Sequence, residues 1–286
     1  MTLRQLQGHM VEKVWGQRAI PAIYGDTAIT DEPIGEIWFA DDDAPDLLVK
    51  CLFTSERLSI QVHPGDDQAR ASGHRCGKEE AWYVLSAEPG ATIGAGFARA
   101  LSDDDLRAAA LDGRIEELLV WHPVAPGDFF YVPAGTVHAI GAGLSVLEIQ
   151  QNVDLTYRLY DYGRSRPLQL DESIAAAVAA PFARRPARAL GPARDELIAA
   201  PKFTIERLGG ACDHHVVASA ARPAWLMPVA PGCTSGKTAL AAGTVWLTDS
   251  PLDIAIAAGG EMLVAWETAD KAEACRAASG TAQERR

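Results

Sequence analysis

The sequence predicts a mainly β protein, built as two β units with a short helical insertion in the first. Three patterns predict it. Short runs rich in Val, Ile, Leu, Phe and Trp recur between Gly and Pro, one stretch breaks them with helical spacing, and an arginine-rich, aperiodic segment divides the chain. Strands are expected at Glu36 to Ala40, Asp46 to Thr54, Leu58 to His63 and Ala81 to Ala87. Two more follow at Asp128 to Val132 and Ser145 to Gln150, on either side of a Gly-rich turn from Pro133 to Gly143. Ser102, with Asp105 three residues on, opens the series Leu106, Ala110, Leu111, Ile115, Leu118 and Leu119, a capped helical insertion over about 102–120. A second helix is expected from Asp171 to Ala180 with Asp171 as its N-cap. The connection Arg184 to Arg194 sets the expected boundary between a first domain, 1–183, and a smaller second one, 184–268. Strands of the second unit are expected at Phe203 to Leu208, His215 to Ala218, Thr244 to Thr248, Leu252 to Ile256 and Glu261 to Trp266. Residues 269–286 carry no large apolar side chain besides Cys275 and read as a frayed tail.

With 286 residues and 48% hydrophobic content, the chain has enough apolar surface for a real core. Its formal charge of -12, from 38 acidic and 26 basic side chains, argues against a nucleic-acid partner and against an anionic membrane surface. An anionic ligand would need locally gathered cations. Met1 to Gly16 are polar and interrupted by charge, and no stretch approaches the roughly 20 apolar residues of a membrane span, so a cytoplasmic protein is expected. The cysteines Cys51, Cys76, Cys212, Cys233 and Cys275 are odd in number and never spaced as C-x-x-C, which suits reduced thiols. No Gly-rich nucleotide loop is present, and no nucleotide cofactor is expected.

Three segments carry candidate chemistry. In Leu58 to Pro64 the two-residue strand period places Ser59, Gln61 and His63 on one face and Leu58, Ile60 and Val62 on the other. Pro64 ends the strand, so His63 stands at its last position. Alone, this pattern fits a surface or core-satisfied His and Gln better than a ligand pair. In Gly77 to Val84, Glu80 and Trp82 share one face while Glu79, Ala81 and Tyr83 share the other, and either glutamate fits a solvated position. The third segment, Gly127 to His138, fits the second cupin motif, G-x5-P-x-G-x2-H, at every fixed position through the histidine. The Asn that usually follows four residues later is replaced by Ala142. Together Gln61, His63, Glu80 and His138 offer nitrogen and oxygen ligands from separate strands, a set compatible with Zn2+ and with other divalent ions. The other histidines, His9, His74, His122, His214 and His215, have no ligand-like partner at strand spacing.

These segments resemble the type I mannose-6-phosphate isomerase family in its short bacterial form. The resemblance runs from about Val14 to Leu170 and includes Trp15-Gly16, Gly35 to Trp38, Leu58 to Pro64, Gly77 to Tyr83, Pro126 to Gly141 and Glu148 to Asp161. It implies a cupin (jelly-roll) catalytic domain with zinc held by Gln61, His63, Glu80 and His138. It also implies catalytic roles for Arg158, Glu148 and Lys78, and substrate binding by Ser59, Lys50, Lys78 and Arg158. The implied reaction interconverts mannose 6-phosphate and fructose 6-phosphate by proton transfer between C1 and C2, with a sugar phosphate as the partner. Two departures stand against the likeness: the helical domain of longer relatives has no room here, and the sequence after about Arg184 matches weakly. A non-catalytic sugar-phosphate-binding cupin and an isomerase of another sugar phosphate are the competing expectations.

Overall fold

The structure, a computed structural model, describes residues 3–21, 23, 32–40 and 46–268. The tail expected over 269–286, with Cys275, lies outside the described residues. The chain opens with β1 (Leu3–Gln5), β2 (His9–Gln17), β3 (Ile34–Phe39), β4 (Leu47–Thr54), β5 (Ile60–Val62) and α1 (Asp66–Ala71). It continues through β6 (Glu80–Ala87), β7 (Thr92–Phe97), α2 (Asp103–Asp112), α3 (Ile115–Leu118) and β8 (Leu119–Pro123). Next come β9 (Phe129–Val132), β10 (His138–Ile140), β11 (Leu144–Gln151), β12 (Tyr157–Tyr160) and α4 (Leu170–Ala176). A six-stranded sheet, β2-β3-β4-β11-β6-β9, faces a five-stranded one, β12-β5-β10-β7-β8, and the pairings within both are antiparallel. Leu52, Trp82, Phe130, Ile140 and Val146 fill the space between them.

Side-chain alternation decides what each face of these sheets meets. On β4 and β11, Leu52 and Val146 point into the first unit while Val49, Phe53, Leu147 and Ile149 point the other way. That outer face packs on Phe203, Ile205, Trp225, Met227, Leu263 and Ala265 as one continuous core. The outer face of the five-stranded sheet is covered by the helices, with Leu106, Ile115 and Ile174 packed on Ile60, Val62 and Val137.

The second half contributes β13 (Arg188–Gly191), β14 (Arg194–Ala199), β15 (Phe203–Gly209), β16 (Cys212–Val216) and β17 (Ala224–Ala230). It ends with β18 (Cys233–Ser235), β19 (Thr238–Leu240), β20 (Trp246–Thr248), β21 (Leu252–Ile256) and β22 (Glu261–Glu267). A seven-stranded sheet, β1-β20-β17-β22-β15-β14-β13, and a four-stranded one, β16-β21-β18-β19, enclose Leu208, Val216, Leu226, Ile254 and Met262. The boundary expected at 183/184 is crossed by the start of the chain, because β1 pairs with β20. Across the junction the Tyr83 hydroxyl donates to Glu261, Lys202 pairs with Asp66, and the Tyr131 and Phe203 rings meet edge to face at 6.0 Å.

Several local expectations are corrected. The aperiodic connection is partly a strand: Arg188 to Gly191 pairs with β14, where the Arg188 fork on Glu196 supplies order that apolar spacing does not. The second helix begins at Leu170 with Gln169, not Asp171, at its cap, and it ends at Ala176. Its last expected turn is drawn off to the cupin turn, where the Val178 amide donates to Gly135 O at 2.7 Å. The strand expected from Leu58 is regular only over Ile60–Val62. The helical insertion is as read at its start, the Ser102 hydroxyl accepting from the Asp105 amide, but it breaks into two helices at Gly113, where φ is +83°. No helix among the described residues is long and apolar enough to cross a membrane.

Because one core joins the two units, truncating Phe203, which is fully buried there, acts on both. Phe203→Ala is expected to cost about 3–5 kcal/mol and to lower the melting of both units together. Scanning calorimetry checks this, and an early melting of the second unit alone would contradict the shared core.

Candidate metal centre and active-site cleft

The metal-type residues converge from three strands. The alternation expected at Leu58 to Pro64 holds from Ser59 on: Ile60 and Val62 are fully buried on one side, while Ser59 and Gln61 line the cleft and His63 turns toward Glu80. Leu58, expected with Ile60 and Val62, instead lines the cleft and packs with Trp15 and Leu52, because the regular strand begins only at Ile60. On β6 the question between the two glutamates is settled by partners. Glu79 accepts from the Tyr131 hydroxyl at 2.6 Å, whereas Glu80 points inward and is 1% exposed. His138, the motif histidine, starts β10, and its neighbour in register on β5 is Gln61. The turn that delivers it depends on Gly135 at φ +86°, where a Cβ would stand 2.9 Å from Val178 Cγ2.

His63, Glu80 and His138 place their ligand atoms within 4.8 Å of one another, all buried. Glu80 Oε1 lies 3.4 Å from His63 Nε2 and 3.1 Å from His138 Nε2. Each imidazole is fixed from behind: His63 Nδ1 is 2.8 Å from Leu155 O, and His138 Nδ1 is 2.8 Å from Thr136 O. A carbonyl only accepts, so each Nδ1 carries the proton and each Nε2 presents a lone pair to the centre. Burial, then the charge of Lys78, pushes His63 down to about 3, and burial likewise lowers His138, so both rings are neutral. Glu80 is itself held well below the usual carboxylate range: burial opposes this, and the ammonium of Lys78 is the largest influence against it. Three acceptor atoms thus face each other without a proton between them, and His63 Nε2 and Glu80 Oε1 have no hydrogen-bond partner. Gln61 completes the group, its Nε2 3.3 Å from His138 Nε2 and its Oε1 accepting from the Ser59 hydroxyl at 3.0 Å.

Beside this centre runs a line of buried charge. Lys78 Nζ lies 2.9 Å from Glu80 Oε2 and 3.2 Å from Glu148 Oε1. Burial works against its ammonium, but the two carboxylates hold its pKa above the usual value. Glu148 is pushed up to about 7 by burial, with Lys78 and Lys50 pulling the other way. Lys50, in register with Glu148, sits 4.4 Å over the Trp38 ring and is lowered by burial. These groups line one cleft with Trp15, Trp82, Ser59 and Arg158. Of the nine expected site residues, seven line one cleft and the other two, His63 and His138, lie beside Glu80. Lys13, Glu36, Asp154, Thr156 and Arg166 also line it without having been singled out by sequence. Lys13 and Glu36 form an ion pair at 3.4 Å, and a lysine and a glutamate on separate strands leave no spacing signal. Among the described residues the other histidines lie elsewhere: His122 packs edge-on to Phe130, His214 meets Cys212, and His215 pairs with Asp253.

No protein-family model matches the chain. A mannose-6-phosphate isomerase of Streptococcus mutans is 46% identical over 134 residues, 45% of this chain and 42% of that protein. One from Bacillus subtilis is 46% identical over 135 residues, again 45% of this chain and 42% of the relative. The chain thus spans less than half the length of these relatives. In three dimensions, the mannose 6-phosphate isomerase from Bacillus subtilis superposes with a TM-score of 0.79 at 23% identity, covering 93% of this chain and 99% of that one. A putative mannosephosphate isomerase from Archaeoglobus fulgidus gives 0.72 at 19% identity, covering 93% and 97%. The mainly β, cupin fold is shared almost from end to end. Over the segment it shares with them the chain is similar in sequence to mannose-6-phosphate isomerases, and its fold is the one seen in the solved isomerase structures.

Proposed function

We propose that the protein is a metal-dependent aldose–ketose isomerase that interconverts mannose 6-phosphate and fructose 6-phosphate. The observation that carries the reading is the buried His63, Glu80 and His138 centre opening on the same cleft as Lys78, Glu148 and Arg158. The donor set fits Zn2+: two imidazole nitrogens with second-sphere carbonyls, one carboxylate, and Gln61 as the fourth ligand. Turning the Gln61 amide over would present its oxygen to the centre and let its nitrogen donate to Ser59; the two amide atoms have the same shape. One carboxylate among neutral ligands leaves the ion about one positive charge, with which it polarises the sugar's carbonyl and hydroxyl oxygens.

The chain's own groups supply the rest. Moving a carbonyl between C1 and C2 takes a base to lift a proton from the carbon next to it and an acid to return it to the other. Glu148 is assigned both tasks, since a carboxyl raised to about 7 accepts and releases protons readily near neutrality. Lys78 stays an ammonium and stabilises the negative charge that develops on the enediolate oxygens, as does Arg158 from the mouth of the cleft. Ser59 and Lys50 are assigned to substrate binding. A cytoplasmic setting is assigned, in keeping with Cys212 and Cys233, which stand outside any disulfide.

The founding test is a coupled assay of mannose 6-phosphate conversion before and after chelation and zinc restoration. Activity should vanish with the metal and return with it, and a metal-loaded protein that turns over no mannose 6-phosphate would refute the isomerase. Metal analysis should find one equivalent in the wild type and far less in His138→Ala, with activity lost in parallel. Glu148→Gln should lower kcat by about 10²–10⁴ and Arg158→Ala by about 10²–10³, both with metal retained. Near-normal turnover of either would remove its assigned role.

A further inference from the structure

The cleft holds two neighbouring arginines, Arg158 and Arg166, with Asp161 and Asp154 as their acidic neighbours. Arg166 is clamped by a two-point fork: its Nε donates to Asp161 Oδ2 at 2.7 Å and one terminal nitrogen to Oδ1 at 2.6 Å. Asp161 is 2% exposed, and its Oδ1 also meets Arg164 at 3.1 Å. The plane of the Arg166 guanidinium is therefore fixed, and its second terminal nitrogen has no partner among the described residues. Arg158 has a buried Nε without a partner, and no carboxylate pairs with its guanidinium among the described residues. Burial and then the neighbouring charge of Arg166 lower its pKa. Both side chains line the cleft, together with the hydroxyl-bearing Ser59 and Thr156. Two cations held close together carry a standing repulsion that a dianion relieves, and guanidinium edges match phosphoryl oxygens.

We propose that Arg166, positioned by Asp161, is the binding residue for the phosphoryl group of the substrate, set beside Arg158, which keeps its role at the reacting carbons. Arg166 makes the cleft selective for phosphate monoesters over free sugars. The inference rests on the sugar-phosphate reading above and adds a residue to it. Arg164, tied to the backbone carbonyl of Arg57 and near Glu56, anchors Asp161 from outside and takes no part.

The test is calorimetric binding of a 6-phosphorylated hexitol, which has no carbonyl to isomerise, alongside the unphosphorylated hexitol and inorganic phosphate. The wild type should bind the phosphorylated hexitol best, inorganic phosphate more weakly at the same site, and the free hexitol least. Arg166→Gln should weaken the phosphorylated hexitol about tenfold or more and abolish phosphate binding, leaving the free hexitol and the metal content unchanged. Its KM for mannose 6-phosphate should rise by a similar factor while kcat falls less than threefold. Arg166→Lys keeps the charge but not the fork, and an intermediate loss is expected; it decides the matter should Arg166→Gln fail to fold. Equal binding of the phosphorylated hexitol by wild type and variant, or no binding by the wild type, overturns the subsite. Arg166-dependent binding in a wild type that does not isomerise mannose 6-phosphate upholds the subsite and refutes the proposed reaction.

Discussion

Glu80 is a carboxylate 1% exposed, and the structure around it is arranged by what that burial requires. A buried anion must be met by positive charge or by donors. Lys78 answers one oxygen, Oε2. The other, Oε1, faces two imidazole nitrogens whose protons are committed to carbonyls on the far side of each ring. Protonating the rings would satisfy it, yet burial opposes a second proton on either. A cation at the point where the three lone pairs meet would resolve the conflict, which is what makes these three residues a metal-type ligand set.

The second carboxylate follows from the first. Lys78 is shared between Glu80 and Glu148, so its charge is divided, and Glu148 in its dry surroundings holds a proton more tightly than an ordinary glutamate. Lys50 faces Glu148 across β4 and β11, where every residue of both strands is buried. Those two strands are packed on the first unit's interior on one side and on the second unit on the other. The second unit thus contributes rigidity to the chemistry without placing any residue in the cleft. A sheet held on both faces keeps its inward groups within the narrow tolerances that proton transfer demands.

The parts of this arrangement that the sequence makes legible are those fixed by strand period or by a turn. His63 and Gln61 follow from the alternation of Leu58 to Pro64, and His138 follows from a turn whose Gly135 cannot be replaced without a clash. The choice of Glu80 over Glu79 was open, because both flank the start of one strand, and only the Tyr131 hydroxyl and Lys78 distinguish them. Strand β17, with Pro228 in its run, and the short β18 and β19 give weak local signals and are held by long-range pairing. Arg166 and Asp161 lie five residues apart in an aperiodic stretch, so their fork is a product of the folded loop and not of spacing. For the same reason β13 was hidden: its residues are exposed throughout and carry no apolar period.

For a chain of net charge -12 to take the proposed anionic substrate, its cations must be kept where they would act. The cleft is lined by five cationic side chains, Lys13, Lys50, Lys78, Arg158 and Arg166, against the acidic Glu36, Glu80, Glu148 and Asp154. With a divalent ion bound and Glu148 partly protonated, the balance inside tips clearly positive. Surface acids lying beyond about 8 Å are screened at physiological ionic strength, whereas the cleft charges act at contact in a low-dielectric setting. The overall charge therefore bears on solubility and on approach, and the affinity for an anion is decided by the few groups that touch it.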